Sequence, residues 1–283
     1  MNKVQIYAFA DEAGTAFSTQ IAAMQRNQLQ GIEVRGIDKL NVSDLTAAQA
    51  KEIRKQLDDA GLKVWSIGSP IGKIDIAKDD FNAHMDKLRN TIDVARIMGA
   101  ENIRMFSFFI PKGDDPIQYR QSVLDKLHTM VEAAEGSGVD LCHENEKGIY
   151  GDVASRCLDV LTEVPELTGI FDPANFVQCG QETMEAWTML HSHIKYMHIK
   201  DALADGHVVP AGAGLGHVPE ILKQFVAQGG SAVTLEPHLF DFSGLSKLER
   251  EGEKSVVGSY HYETPDAAFD AAANALKAIL NTL

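Results

Sequence analysis

The stretch IKYMHIKD, residues 194–201, begins as a strand and ends on charge. Ile194, Tyr196, His198 and Lys200 share one parity, so an extended chain presents them on one face. A buried strand that finishes on His198, Lys200 and Asp201 places metal-competent groups at its C-terminal edge. Three other apolar runs finish in the same way: LCHEN ends in Glu144, IFDPAN in Asp172 and TLEPH in Glu236.

Working outward from these runs, the whole chain alternates between strand-like and helical patterns. Apolar runs stand at 4–10, 31–36, 63–69, 102–109, 139–145, 167–175, 194–201 and 231–238. Helical patterns lie near 14–29, 43–60, 79–98, 116–136, 152–163, 181–191, 217–229 and 265–281. Alternation implies parallel pairing, and eight such units imply closure into a single α/β domain over 1–283, a (β/α)8 TIM barrel. AGLKV, MGAENI and GSGVDL each set Gly after a helix and before a strand, as a helix C-terminus requires. A doubly wound open sheet fits less well, because ADEAGTAF after the first run has no GxGxxG loop.

The net charge of −14 opposes nucleic-acid partners, and no apolar run is long enough to span a bilayer. The N-terminal MNKVQIYAFADEAG reads as a strand, so the expected location is cytoplasmic. Cys142, Cys157 and Cys179 have no CxxC spacing and are expected to be reduced thiols.

In a parallel barrel the four charged endings point to one rim. Glu144, Asp172, His198 and Glu236 can then converge although 28, 26 and 38 residues separate them. Three carboxylates and an imidazole suit one divalent ion, Mn²⁺ or Mg²⁺ first, with Co²⁺ or Zn²⁺ as alternatives. Taken singly, each acid would more often be a helix cap and the histidine a structural residue. Four endings in phase on adjacent strands favour a metal site.

FADEAG, GIEVRG, SIGSPIG, HEN, FDPAN, HIKD and LEPH fall in the order found in one known family. The chain resembles the xylose isomerase-like TIM barrel superfamily, in particular its sugar phosphate isomerase/epimerase branch (tagatose epimerase-like and inosose dehydratase-like proteins). The resemblance implies one divalent metal, Mn²⁺ foremost, held by Glu144, Asp172, His198 and Glu236. It also implies that Glu144 and Glu236 exchange the substrate proton. The implied activity is isomerisation or epimerisation of a small ketose or aldose through a metal-stabilised enediolate. An inosose dehydratase-like lyase is the alternative. An AP endonuclease-like nuclease is remote: such enzymes carry His three residues after the sixth-strand Asp, where this chain has Asn175. A non-catalytic sugar-binding protein is disfavoured, since all four ligand positions are filled.

Glu33 and Arg35 at strand two, Trp65 beside Ser66 at strand three, Lys200, and His238 two beyond Glu236 are the candidate substrate-binding residues. For Glu33 and Arg35 a structural ion pair is an equal reading, and for Trp65 plain core is. Glu146 is a second acid near the site, or solvated, and His143 should face the helix layer. Asp201 could cap the following turn or orient a ligand. AGAGLGH (211–217) could cradle a phosphate, or form a tight turn. The long segments 202–216 and 239–264 follow strands seven and eight. The second, with Tyr260, His261 and Tyr262, is expected to cover the pocket as a lid or to pack against another subunit of a homo-oligomer.

Overall fold

The computed structural model describes residues 4–240 and 260–283. Eight parallel strands close into a barrel: β1 Gln5–Ala8, β2 Gly31–Val34, β3 Lys63–Ile67, β4 Asn102–Met105, β5 Asp140–Glu144, β6 Thr168–Phe171, β7 Ile194–Ile199 and β8 Ala232–Leu235. Each pairs with its sequence neighbours, and β8 closes on β1 through Gln5 opposite Ala232 and Ala8 opposite Leu235. The expected TIM barrel is therefore present.

Helices cover the barrel: α1 Phe17–Arg26, α2 Ala47–Asp59, α3 Phe81–Met98, α4 Arg120–Ala134, α5 Ala154–Glu163, α6 Pro173–Gln178, α7 Thr183–Leu190, α8 Val218–Ala227 and α9 Pro265–Leu280. Their ends follow local chemistry. Thr46 and Gln49 form a capping box at α2, and Asp80 accepts from the amides of Asn82 and Ala83 at α3. Gly99 ends α3 at φ 68°, a left-handed conformation that a residue with a Cβ adopts at a cost.

Two elements differ from the sequence pattern. The fourth apolar run was expected to extend to 109, but β4 ends at Met105 and Phe108 takes φ 65°. The chain turns there, and Phe109 bridges to Asp75 and Ile149 instead. The helix expected near 181–191 is α7, and it is preceded by the short α6. Asp172 caps α6 by accepting from Asn175 N at 2.8 Å, and Pro173 occupies its first turn.

The main core lies between the strands and the helices. There Trp187 of α7 is edge-on to Phe171 (5.3 Å) and Phe225 (6.3 Å), and its Nε1 donates to Gln224. A smaller cluster, Tyr7, Cys142, Ile170, Tyr196 and Ala232 with Trp65, is separate from that core. Cys142, Ile170 and Tyr196 each precede a charged strand ending by two residues, so they lie inside the barrel below it. All three cysteines are free thiols, as expected. Replacing Trp187 with Ala should destabilise the fold by about 3–5 kcal/mol. Urea unfolding would measure this, and an unchanged midpoint would refute the packing role assigned to the ring.

Candidate metal and acid–base site

The strand endings meet. One ligand atom from each of Glu144, Asp172, His198 and Glu236 lies within 4.8 Å of the others, and all four residues are buried. Local bonds fix the spacing between strands. Asn145 accepts from Asp172 N and donates to Asp172 O, both at 2.9 Å, which ties the end of β5 to that of β6. Asn175 donates to Asn145 O at 2.8 Å and completes the clasp.

Around the four lies a dense ion network. His198 Nδ1 is 2.8 Å from Glu144 Oε1 and 3.6 Å from Glu236 Oε2. Lys200 Nζ stands 3.1 Å from both Asp172 Oδ2 and Glu236 Oε2. Arg35 reaches Glu236 at 3.2 Å, Glu12 at 2.9 Å and Asp11 at 3.0 Å. Arg104 reaches Glu144 at 3.3 Å. Both guanidinium groups lie over the Phe9 ring, at 4.3 and 4.8 Å from its centre.

These contacts set the protonation states. Burial alone would raise Glu236, but Lys200, His238 and His198 hold it well below the usual carboxylate range. Burial lowers His198, yet the charges of Glu144 and Glu33 raise it well above the ordinary imidazole value. Burial and the Lys200 charge push His238 well below that value. Burial pushes Glu12 up to about 7 despite Arg35. At Asp172, burial with Glu236 and Glu144 nearby outweighs Lys200 and raises the carboxyl above its usual range.

The residues present fit a divalent cation. Asp172 Oδ2 is buried without a hydrogen bond, its ion pair with Lys200 Nζ standing at 3.1 Å. Seven ion-paired carboxylates gather at this end of the barrel: Asp11, Glu12, Glu33, Glu144, Glu146, Asp172 and Glu236. Four permanent cations answer them: Arg35, Lys73, Arg104 and Lys200. A dication would offset most of that excess. An oxygen-rich set with one imidazole can bind a metal ion of the Mg²⁺ or Mn²⁺ type, or Zn²⁺.

The other sequence candidates divide. Arg35, Lys200 and His238 adjoin the cluster, His238 Nε2 being 3.7 Å from Glu236 Oε1. Glu33 lies beneath His198 and is fully buried. Trp65 is set apart. Its ring stacks on Tyr7 at 5.1 Å and meets Tyr196 edge-on at 5.7 Å, in the aromatic layer below the acids. A bulge explains this: Ile32 pairs with Val64 but Glu33 with Ser66, so Trp65 is the extra residue on β3. Glu146 pairs with Lys73 at 2.9 Å, and His143 bonds Ser107 at 2.9 Å away from the cluster.

Sequence reasoning passed over Arg104, Asp11 and Glu12. Arg104, a charge inside the apolar run NIRMF, was the available signal for the first, and the acidic pair in FADEAG for the others.

The glycine loop after β7 is already engaged. Asp201 accepts from Gly212 N (2.9 Å), Gly214 N (3.0 Å), Gly216 N (2.8 Å) and Ala202 N (2.9 Å). A Cβ at Gly214 would lie 2.3 Å from Asp201 Oδ1, which requires glycine there. The amides that could have cradled a phosphate thus bind an internal carboxylate. The loop expected to act as a lid, 239–264, lies mostly outside the described residues.

The chain belongs to the xylose isomerase-like TIM barrel family, whose model matches residues 21–280. No curated protein matches the chain. Among solved structures it is similar to a probable 3-DHS dehydratase, AsbF, from Bacillus anthracis (17% identity, TM-score 0.73, 98% of this chain and 99% of that one). An L-ribulose 3-epimerase is similar at 20% identity and TM-score 0.73, over 100% and 95% of the two chains. The IOLI protein with a bound zinc atom follows at 14% identity and TM-score 0.74, over 99% and 98%. At these identities the likeness is one of fold.

Asp201→Ala should leave loop amides without their acceptor and cost about 1–3 kcal/mol. Chemical denaturation and amide exchange at Gly212, Gly214 and Gly216 would test this. Unchanged protection at all three would contradict the anchoring role.

Proposed function

We propose that this protein is a metal-dependent sugar isomerase or epimerase. It would move a proton on the carbon beside the carbonyl of a small ketose or aldose. The observation that carries this reading is the buried convergence of Glu144, Asp172, His198 and Glu236 at the C-terminal rim, where TIM barrel enzymes keep their active sites. These four would hold one divalent ion, Mn²⁺ by preference. Bound there, the ion supplies Lewis-acid polarisation of a carbonyl oxygen and charge to offset a developing oxyanion.

Glu144 and Glu236 are the proton carriers. Lys200 and Arg35 keep Glu236 ionised, which suits it to accept the proton first. Glu144 stands three strands away around the rim, with Arg104 and His198 fixing its two oxygens. Delivery from that second position would invert the carbon, and return to the adjacent carbon would interconvert aldose and ketose. Arg35, Lys200 and His238 adjoin these acids and are the candidates for contact with substrate oxygens. Because Asp201 fills the glycine loop, an unphosphorylated sugar fits this site better than a sugar phosphate. The net charge of −14 opposes a nucleic-acid partner, and no described helix is long and apolar enough to cross a membrane.

A lyase of the inosose dehydratase kind is the second reading. It starts with the same proton removal and then expels water, and the fold likeness to a dehydratase supports keeping it. Incubation with a keto-inositol separates the two, since only water loss creates new ultraviolet absorbance.

His198→Ala and Glu236→Ala should each lower bound Mn²⁺ measured by elemental analysis while circular dichroism stays the same. Full metal content in both variants would sink the ligand assignment. Glu144→Gln and Glu236→Gln should each slow solvent deuterium exchange into a turned-over ketose by roughly 10²–10⁴-fold. Wild-type exchange in either variant removes that residue from the pair.

A further inference from the structure

Glu33 was a candidate for sugar contact, but its surroundings point elsewhere. Its side chain has 0% exposure. Oε1 is within bonding distance of Ser66 Oγ (3.2 Å) and Tyr196 OH (3.1 Å). Oε2 takes a bond from Thr234 Oγ1 at 2.7 Å and faces His198 Nε2 at 3.2 Å. These partners come from β3, β7 and β8, so the carboxylate is fixed from several sides. Both oxygens accept from hydroxyl groups, as a carboxylate does, so the ring nitrogen that faces Oε2 is the donor and carries hydrogen.

That leaves one nitrogen for the site. His198 Nδ1 points toward Glu144 and Glu236. Phe9 meets the ring edge-on at 5.1 Å and Tyr196 at 5.6 Å, which limits its rotation. We infer that Glu33 is a positioning residue: it holds the Nε2 hydrogen of His198, so that Nδ1, which faces Glu144 and Glu236, is the nitrogen that gives up its hydrogen when a metal ion binds. This rests on the metal reading above and assigns Glu33 no contact with substrate. Its physical basis is general, because a carboxylate behind a ligating histidine fixes the ring's tautomer and orientation and raises its basicity.

The test uses the full-length protein and has two arms. In the first, titration calorimetry with Mn²⁺ compares the wild type with Glu33→Gln. The variant should bind about 10- to 100-fold more weakly while remaining folded. A merely structural Glu33 would lower thermal stability and leave the affinity of the folded protein unchanged, and that result overturns the inference. The second arm needs no variant. In the Zn²⁺-loaded wild type labelled with ¹⁵N-histidine, the His198 spectrum should show hydrogen on Nε2 and none on Nδ1. Hydrogen on Nδ1 with metal on Nε2 overturns the inference even if Glu33→Gln fails to fold. Failure of the wild type to bind either ion would overturn the metal reading itself and this inference with it. Intact wild-type binding with an unaffected variant overturns this inference alone.

Discussion

Several carboxylates share one buried rim in this barrel, and removing ionised groups from water is expensive unless they are paired. Glu144, Asp172 and Glu236 lie close enough to repel one another strongly, and Glu12 and Glu33 lie close behind. The structure answers with cations placed in depth. Arg35 and Arg104 both approach the Phe9 ring, Lys200 stands between Asp172 and Glu236, and His198 is raised well above the ordinary imidazole value. The compensation is incomplete at Asp172, whose carboxyl stays raised and whose Oδ2 accepts no hydrogen bond. Further positive charge within this four-donor cluster is what a dication would supply.

The rest of the fold serves to hold that rim rigid. Beneath it, Tyr7, Cys142, Ile170, Tyr196, Ala232 and Trp65 fill the barrel with apolar surface, which keeps water from the lower side of the acids. Outside it, the strand–helix core fixes where each strand ends. Between strand ends, the Asn145–Asp172–Asn175 clasp sets the distance from β5 to β6. After β7, Asp201 gathers the glycine amides and closes a loop that would otherwise be an anion site. The last two devices use polar groups within three residues of a candidate ligand, so site and scaffold share the same short segments.

Chemistry and electrostatics agree at this site. Proton transfer beside a carbonyl needs carboxylates that can accept and return a proton, held where water is scarce. The two candidates occupy different settings. Glu236 faces a lysine and an arginine, whereas Glu144 faces an arginine and the imidazole that Glu33 supports. Two acids with unlike neighbours can take unlike roles within one reaction cycle.

Much of this was legible in the sequence. Strand parity has a period of two, so Glu144, Asp172, His198 and Glu236 could be put on inward faces, and eight repeats dictated closure to a common rim. Parity also placed Lys200 beside His198. For Trp65 the sequence left sugar pocket and plain core as equal readings; the ring lies in the aromatic layer, beside a bulge on β3 that no residue type announces. Parity could not say that Glu33 would be enclosed by Ser66, Tyr196, Thr234 and His198, since these come from three other strands whose alignment depends on barrel stagger. Nor could it choose between phosphate and Asp201 as the partner of the glycine amides, because both are anions and only the path of the loop decides which one arrives. The order of chemical groups along each strand was written in the sequence. Which groups touch was decided by the closed barrel, because contact across it depends on register, stagger and loop path, which repeat-level patterning does not encode.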